Sequence, residues 1–409
     1  MKISGDNKSL PNCTEIIIAG AGLIGMSLAA RLGKAGLSVS VIERNPPFKP
    51  DAVRPDLRTT AVAAGSQHFL AQIGAWNECA KDAGIIQEIR VSDGESRRFL
   101  HFGDGDVAFG HSSAETHPVM GYIVRNELLR RDLQAALAKY DTVKLIQPAE
   151  IAQISQNESQ VAVTLGDGRV FQASLLIGTE GRNSPVRELI GIASYHKNYG
   201  QTALVTVIRH QYPHHNIAHE RFLTAGPLAF LPMHAPHESS MVWTTSEAMA
   251  AELLRLNDGE RSEELHAQFG DWLGALQPIE PIQSWPLSLH FAYEIARGRV
   301  ALAGDAAHLI HPIAGQGANL GWRDASDLAE LVINARRVGL DAGQPVLSGQ
   351  YQRSRMLENM LFAAATDGFN RLFSTDQKLV QMTRRVGLSL VNRLPRLKSA
   401  FIRPARLGL

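Results

Sequence analysis

The chain has 409 residues with 41 Lys+Arg against 40 Asp+Glu, a formal charge of +1 with histidine neutral, which excludes a protein whose whole surface binds nucleic acid. With 44% hydrophobic and 20% charged residues it reads as a soluble globular protein, and at about 150 residues per domain its length allows two or three domains. No apolar run approaches the ~20 residues that span a bilayer, residues 1–12 are polar, and two cysteines (Cys13, Cys79) are too few for a disulfide framework, so a cytoplasmic address is expected.

Residues 14–19 carry the β-branched run Ile16-Ile17-Ile18 and end at Gly20. Helical spacing follows over 23–35 and a second apolar run over 39–42. Strand, Gly-rich turn, helix, strand is a βαβ unit, which predicts a parallel sheet covered by helices. Residues 46–56, rich in Pro and Asp, predict an extended loop. A helix is predicted from about Gly65 (Phe69, Leu70, Ile73, Trp76), strands and loops over 85–120, and a helix over 122–140 with Leu128, Leu129, Leu133 and Leu137. Short strands are predicted over 143–147, 150–155, 161–165, 170–173 and 174–178, with Gly166-Asp167-Gly168 turning a hairpin. Residues 184–285 break the pattern: strands at 203–209, 228–232 and 241–245 and helices over 247–276 predict an inserted antiparallel module, a place for a substrate lobe. A strand at 300–303, a helix over 318–336 and a mostly helical 350–394 complete the chain.

Gly20-Ala21-Gly22-Leu23-Ile24-Gly25 stands between the first strand and the first helix. The first glycine permits the tight turn, the second lets backbone approach a pyrophosphate, the third lets helix and strand pack closely, and the helix N-terminus supplies N–H donors. Glu43 follows 18 residues after Gly25, at the end of the second strand, where a carboxylate accepts from ribose hydroxyls and favours FAD or NAD over NADP. Farther on, Gly304-Asp305-Ala306-Ala307-His308 closes the 300–303 strand, and His311-Pro312-Ile313-Ala314-Gly315-Gln316-Gly317-Ala318-Asn319-Leu320-Gly321 leads into a helix that carries Asp324. Three glycines and a proline ahead of a helix make a second anion-receptive N-terminus. A flavin needs such donors near the pyrimidine side of its ring, where negative charge appears on reduction, and Asp305 is placed to accept from a ribityl hydroxyl.

The string from His311 to Asp324 resembles the signature of the ubiquinone-biosynthesis hydroxylases, within the flavin-dependent aromatic hydroxylases of the p-hydroxybenzoate hydroxylase fold. The resemblance runs over nearly the whole chain, through the Gly20 fingerprint, Arg58-Thr59-Thr60-Ala61, Arg125 and Gly178-Thr179-Glu180-Gly181-Arg182-Asn183-Ser184. The expected fold is α/β, a Rossmann-type FAD-binding domain with an inserted antiparallel-sheet substrate domain and a helical C-terminus. The FAD-binding parts are expected at 1–70, 121–183 and 291–345, the substrate domain at 71–120 and 184–290, and a basic helical region at 346–409.

By this likeness Gly20, Gly22, Gly25, Glu43 and Arg44 hold the adenosine end of FAD, Arg58 and Arg125 face the flavin and its phosphates, and Gly304 and Asp305 serve the ribityl chain. Pro312, Gly315, Gln316, Gly317, Ala318 and Asn319 line the isoalloxazine, the first three being the loop at the reacting ring. The departure is Glu180, one methylene longer than the family's usual Asp, in a motif that serves both FAD and a nicotinamide donor. The resemblance implies that NAD(P)H or another reductant reduces FAD, and that O2 then supplies the oxygen that hydroxylates a polyprenyl phenol or benzoquinol. Alternatives are a hydroxylase of a small soluble aromatic, a plain NAD-linked dehydrogenase, and a non-catalytic flavoprotein subunit of a quinone-biosynthesis assembly.

No side chain is identifiable as the phenol's base; His290 and Tyr293 are candidates by position, and Trp285-Pro286-Leu287 borders either the substrate cavity or a domain junction. No metal is expected, because His308 and His311 lack a third ligand at zinc-type spacing. Residues 371–409 hold nine basic residues and one acid, +8 in all, which leaves −7 for the remainder. Leu379, Met382, Val386, Leu390 and Leu394 recur there at helical spacing. This predicts a basic amphipathic helix, either docked on the core or touching an anionic membrane at its inner face or an acidic protein partner of a Ubi-type complex. Nucleic acid is not an expected partner, and a homo-oligomer is left open.

Overall fold

The computed structural model describes residues 12–47, 56–94, 99–103 and 119–373. The predicted βαβ unit is present: Ile16–Ala19 and Val39–Ile42 pair in parallel and are linked by the helix Leu23–Lys34. They sit in a six-stranded sheet in the order Ala296–Arg297, Val300–Leu302, Leu175–Gly178, Ile16–Ala19, Val39–Ile42, Val143–Ile146, parallel except at the first strand. Every residue of Ile16–Ala19, Val39–Ile42 and Leu175–Gly178 is buried, which is why these strands read as unbroken apolar runs rather than alternating ones. The long helix Gly317–Arg337 packs on Leu23–Lys34, and buried Trp322 donates its Nε1–H to Ser27 Oγ at 3.0 Å across that contact.

The hairpin expected at Gly166-Asp167-Gly168 joins Val161–Leu165 to Val170–Ala173 in a four-stranded sheet. Residues 122–125 are a strand, Gly121–Arg125, and the helix starts at Asn126 rather than at 122. Tyr122, Ile123 and Val124 are aromatic or β-branched and pair with Thr59–Ala63, so sheet packing overrides the helical spacing that continues downstream.

The inserted module is a larger sheet than expected. Its strands run His308–Leu309, Gln283–Ala292, Ser194–His210, Glu238–Ser246, Gly226–Pro232, Ile217–Leu223, Glu88–Asp93 and Phe99–Phe102, with Leu276–Pro278 pairing on Ser194–His210. One ladder, Ile217–Leu223 on Glu88–Asp93, is parallel, so the sheet is mixed rather than antiparallel throughout. The strand expected at 203–209 extends over 17 residues, and Gln283–Ala292 was hidden in the sequence by Pro286, a residue that lacks a ladder N–H. The helical stretch 247–276 is broken at Asn257, which with Glu260 forms a capping box for the helix Asp258–Phe269.

One face of this sheet (Leu204, Ile208, Phe230, Met241, Trp243) is covered by the helices Glu247–Arg255 and Asp258–Phe269. The opposite face looks toward the strand Thr59–Ala63, and the Thr59 hydroxyl meets the Ser240 hydroxyl there at 2.7 Å. The chain ends its described part in the helix Pro345–Phe373. The predicted basic amphipathic helix lies outside the described residues. Among those that are described, no helix is long and apolar enough to cross a membrane.

Candidate functional site

A cavity of about 780 Å³ opens between the two large sheets. Two helix N-termini face it. The helix Leu23–Lys34 begins after Gly22 and the helix Gly317–Arg337 after Gln316, and neither start has a side-chain cap. Each therefore presents first-turn N–H groups that an anionic or polar ligand can satisfy. At Gly22 and Gly317 an added Cβ would meet nothing within 4 Å, so bare backbone lines open space. Gly20 and Gly25 have the opposite constraint. Gly20 takes φ +97°, and a Cβ on Gly25 would lie 2.0 Å from the Gly20 oxygen, so the turn closes only with glycine at both. A pyrophosphate-bearing dinucleotide fits this cradle.

Glu43 reaches across the same turn: its Oε2 accepts from the Ala21 N–H at 2.8 Å and its Oε1 from the Asn45 N–H at 2.8 Å. The carboxylate is thus fixed on the cavity wall beside Arg44. Arg58 is gripped by Asp56, with Nε and Nη2 each 2.8 Å from a carboxylate oxygen, and its guanidinium lies 4.4 Å from the Trp285 ring centroid. Asp305 also lines the wall; the surrounding protein pushes its carboxyl up, and His308, Arg58 and Arg182 pull against that push.

Behind the wall, buried Asn319 ties three pieces together. Its Nδ2 donates to Ala61 O at 2.9 Å and Gly315 O at 3.1 Å, and its Oδ1 accepts from the Ala63 N–H at 3.0 Å. The loop Pro312 to Gly315 is thereby pinned to the strand Thr59–Ala63. Gly304, at φ +61°, donates its N–H to Asp324 Oδ2 at 2.9 Å. Burial pushes the Asp324 carboxyl up, but His308 and Arg355 outweigh it and hold the group down to about 2.

Ten of the residues named from sequence meet on the cavity wall: Gly20, Gly22, Glu43, Arg44, Arg58, Asp305, Pro312, Gly315, Gly317 and Ala318. Gly25, Arg125, Gly304, Gln316 and Asn319 stand off it, and Arg125 is paired with Glu280 at 2.7 Å. Glu180 is on the wall, but its carboxylate caps the short helix Pro185–Leu189, accepting from Ser184 Oγ at 2.8 Å and the Val186 N–H at 3.1 Å. His308 and His311 point to different partners, Asp324 at 2.6 Å and Gln201 at 3.2 Å.

His290 is buried near Arg187, away from the wall, and burial holds it down to about 4, while Tyr293 is 59% exposed. Neither faces the cavity. The sequence reading missed Val205 and Val242, which with Trp285 form the apolar side of the cavity. The alternation Ala203, Val205, Val207 marks that face and is readable once the helix-covered residues Leu204 and Ile208 are assigned to the other side.

The FAD-binding-domain family matches residues 13–355. The chain is 40% identical to the ubiquinone hydroxylase UbiL of Rhodospirillum rubrum, over 97% of this chain and 90% of that protein. It is 32% identical to the 3-demethoxyubiquinol 3-hydroxylase of Escherichia coli, over 97% and 99%. Among solved structures, p-nitrophenol 4-monooxygenase PnpA from Pseudomonas putida DLL-E4 superposes with a TM-score of 0.78 at 18% identity, over 98% of this chain and 99% of that one, which shows a shared fold. The chain therefore belongs to the FAD-binding family of flavin-dependent aromatic monooxygenases, beside relatives named as ubiquinone hydroxylases.

Proposed function

We propose that this protein is an FAD-dependent hydroxylase of a polyprenyl phenol or benzoquinol in ubiquinone biosynthesis, with NAD(P)H or another reductant as electron donor and O2 as co-substrate. The observation that carries it is the convergence of two uncapped helix N-termini, Glu43 and Asp305 on one cavity whose far side is the apolar Val205, Val242 and Trp285. FAD bound there would supply the redox and O2 chemistry that places one oxygen atom on the aromatic ring.

The residues divide the work of holding that group. Gly20, Gly22 and the first turn of Leu23–Lys34 take the pyrophosphate, with Gly25 setting the turn. Glu43 and Arg44 take the adenosine ribose, and Asp305 a ribityl hydroxyl. Gly315, Gly317 and Ala318 open the second helix N-terminus to the cavity, where its dipole would favour negative charge on a bound flavin. Pro312 and Gln316 shape the loop, Asn319 and Gly304 fix its two ends, and Arg58 faces the flavin. Arg125 acts from behind, through its pair with Glu280. Val205, Val242 and Trp285 exclude water from the reacting ring.

The names of the two relatives support a quinone precursor as substrate. The +8 charge of residues 371–409 supports peripheral contact with an anionic membrane, where a polyprenyl substrate resides. Deleting the gene and identifying the accumulated aromatic by mass spectrometry tests the substrate class. A prenylated precursor lacking one ring hydroxyl supports the reading; normal quinone with another aromatic accumulating points to a small soluble substrate instead.

A further inference from the structure

The helix Pro345–Phe373 is apolar on two opposite faces over its middle turns. Its inner face meets the cofactor cavity: Ala363 packs with Ile310, Leu289 and Leu320, and Ile310 is part of the cavity wall. On the outer face every exposed position from 357 to 368 is apolar or glycine: Leu357, Met360, Leu361, Ala364, Ala365 and Gly368. Leu357, Met360 and Leu361 are 65%, 51% and 62% exposed, and their spacing of three and four sets them side by side on one stripe. At 1.5 Å per residue the stripe is about 17 Å long.

The two acids of this stretch are withheld from the stripe. Glu358 pairs with Arg323 and Arg355, and Asp367 Oδ1 lies 2.6 Å from Lys197 Nζ, both toward the body of the protein. The exposed charges that flank the stripe are basic: Arg353 before it, and Arg371, which also pairs with Asp367 at 2.9 Å, after it. The +8 stretch of residues 371–409 begins on the last turn of the same helix. A helix that already buries one apolar face in the core gains nothing in folding from a second one turned to water.

We propose that this outer face is a docking surface for an anionic lipid bilayer, with Leu357, Met360 and Leu361 entering the interface and Arg353 and the basic C-terminal stretch lying on the lipid phosphates. The docking rests on the membrane contact proposed above and adds the face that makes it. An apolar stripe and a basic segment together supply two attachment signals, where one alone gives marginal, reversible binding. A second copy of the chain fits this face poorly, because a two-fold contact would bring Arg353 and the basic stretches of both copies together. One helix diameter, about 10 Å, separates the stripe from the side of the helix that packs on Ile310. Docking therefore holds the cavity wall next to the lipid in which a polyprenyl substrate resides.

The test uses FAD-loaded full-length protein and vesicles of phosphatidylcholine and phosphatidylglycerol in equal amounts. Leu357→Gln with Leu361→Gln keeps net charge and helix propensity, and both positions are exposed, so melting temperature, FAD content and turnover of a soluble phenol without vesicles should match the wild type. Vesicle binding should weaken about ten- to hundredfold, and turnover of a geranyl-substituted phenol presented in those vesicles should fall with it. Leu357→Met with Leu361→Met stays apolar and should bind as the wild type does. The docking face is overturned if the Gln variant sediments with vesicles as the wild type does, or if the wild type does not bind them. It is overturned too if the Gln variant melts lower, which would show the face covered by the chain itself, or if light scattering finds a wild-type dimer and a monomeric variant. Vesicle binding needs no turnover, so a protein that hydroxylates no phenol refutes the hydroxylase reading while sedimentation still decides the docking face.

Discussion

His308 Nε2 lies 2.6 Å from Asp324 Oδ2, and the same oxygen accepts the Gly304 N–H at 2.9 Å, with Asp324 Oδ1 held 2.8 Å from Arg355 Nε. One buried carboxylate thus joins the turn after Val300–Leu302, the helix Gly317–Arg337 and the helix Pro345–Phe373. Asp324→Asn should lower stability by about 1.5–3 kcal/mol, because it weakens the charge-assisted bonds to His308 and Arg355 while Arg355 keeps Glu358 and Asp327 beside it. Since the Asp324 carboxyl is held down to about 2 from 3.8, its contribution is fully present above pH 4 and is lost as pH falls through about 2. Acid unfolding followed by circular dichroism checks both: the variant should start less stable and show a shallower loss in that window.

Two glycines of one motif separate folding from binding. Gly25→Ala drives a Cβ to 2.0 Å from the Gly20 oxygen and should destabilise the protein by roughly 3 kcal/mol or more. Gly22→Ala meets no protein atom within 4 Å and should melt as the wild type does, while weakening FAD at least about tenfold by intruding on the pyrophosphate. Melting temperature and FAD titration, measured on both, distinguish the roles.

Trp285 touches Arg58 on the cavity side of the sheet. A cation–π contact of about 0.5–2 kcal/mol fixes the guanidinium, so Trp285→Ala should raise KM and lower kcat together, by about 3- to 30-fold in kcat/KM. Trp285→Phe keeps a ring face and should recover most of it. Steady-state kinetics with the prenylated phenol reads this directly.

Removing residues 374–409 takes away eight of the nine basic residues of the C-terminal stretch. The remaining helix Pro345–Phe373 still exposes Leu357 and Leu361, at 65% and 62%. Co-sedimentation with anionic liposomes should fall sharply on truncation and, for the full chain, should weaken with added salt. Unchanged sedimentation would refute the membrane contact.

The cofactor half was legible because its chemistry is local. Gly20 to Gly25, Glu43 and Gly304 to Asp324 are contiguous strings whose residue types follow from backbone approach and helix termini. What stayed hidden depends on contacts between distant segments. Residues 122–125 became a strand through pairing with Thr59–Ala63, some sixty positions away. Val205 and Val242 gain their setting by pairing across two strands some forty positions apart, and nothing in their own neighbours in sequence announces that they face a cavity. Glu180 differs from the family's usual Asp by one methylene, and its carboxylate caps Pro185–Leu189. A single methylene difference carries no sign of which neighbour the longer side chain reaches.

The most direct test of the central claim is turnover by the purified protein with FAD, a reductant, isotopically labelled O2 and a prenylated phenol, followed by mass spectrometry of the product. The account predicts a yellow protein and a ring-hydroxylated product that carries one labelled oxygen atom. A protein that cannot be loaded with FAD, or a product whose new oxygen comes from water, would contradict it.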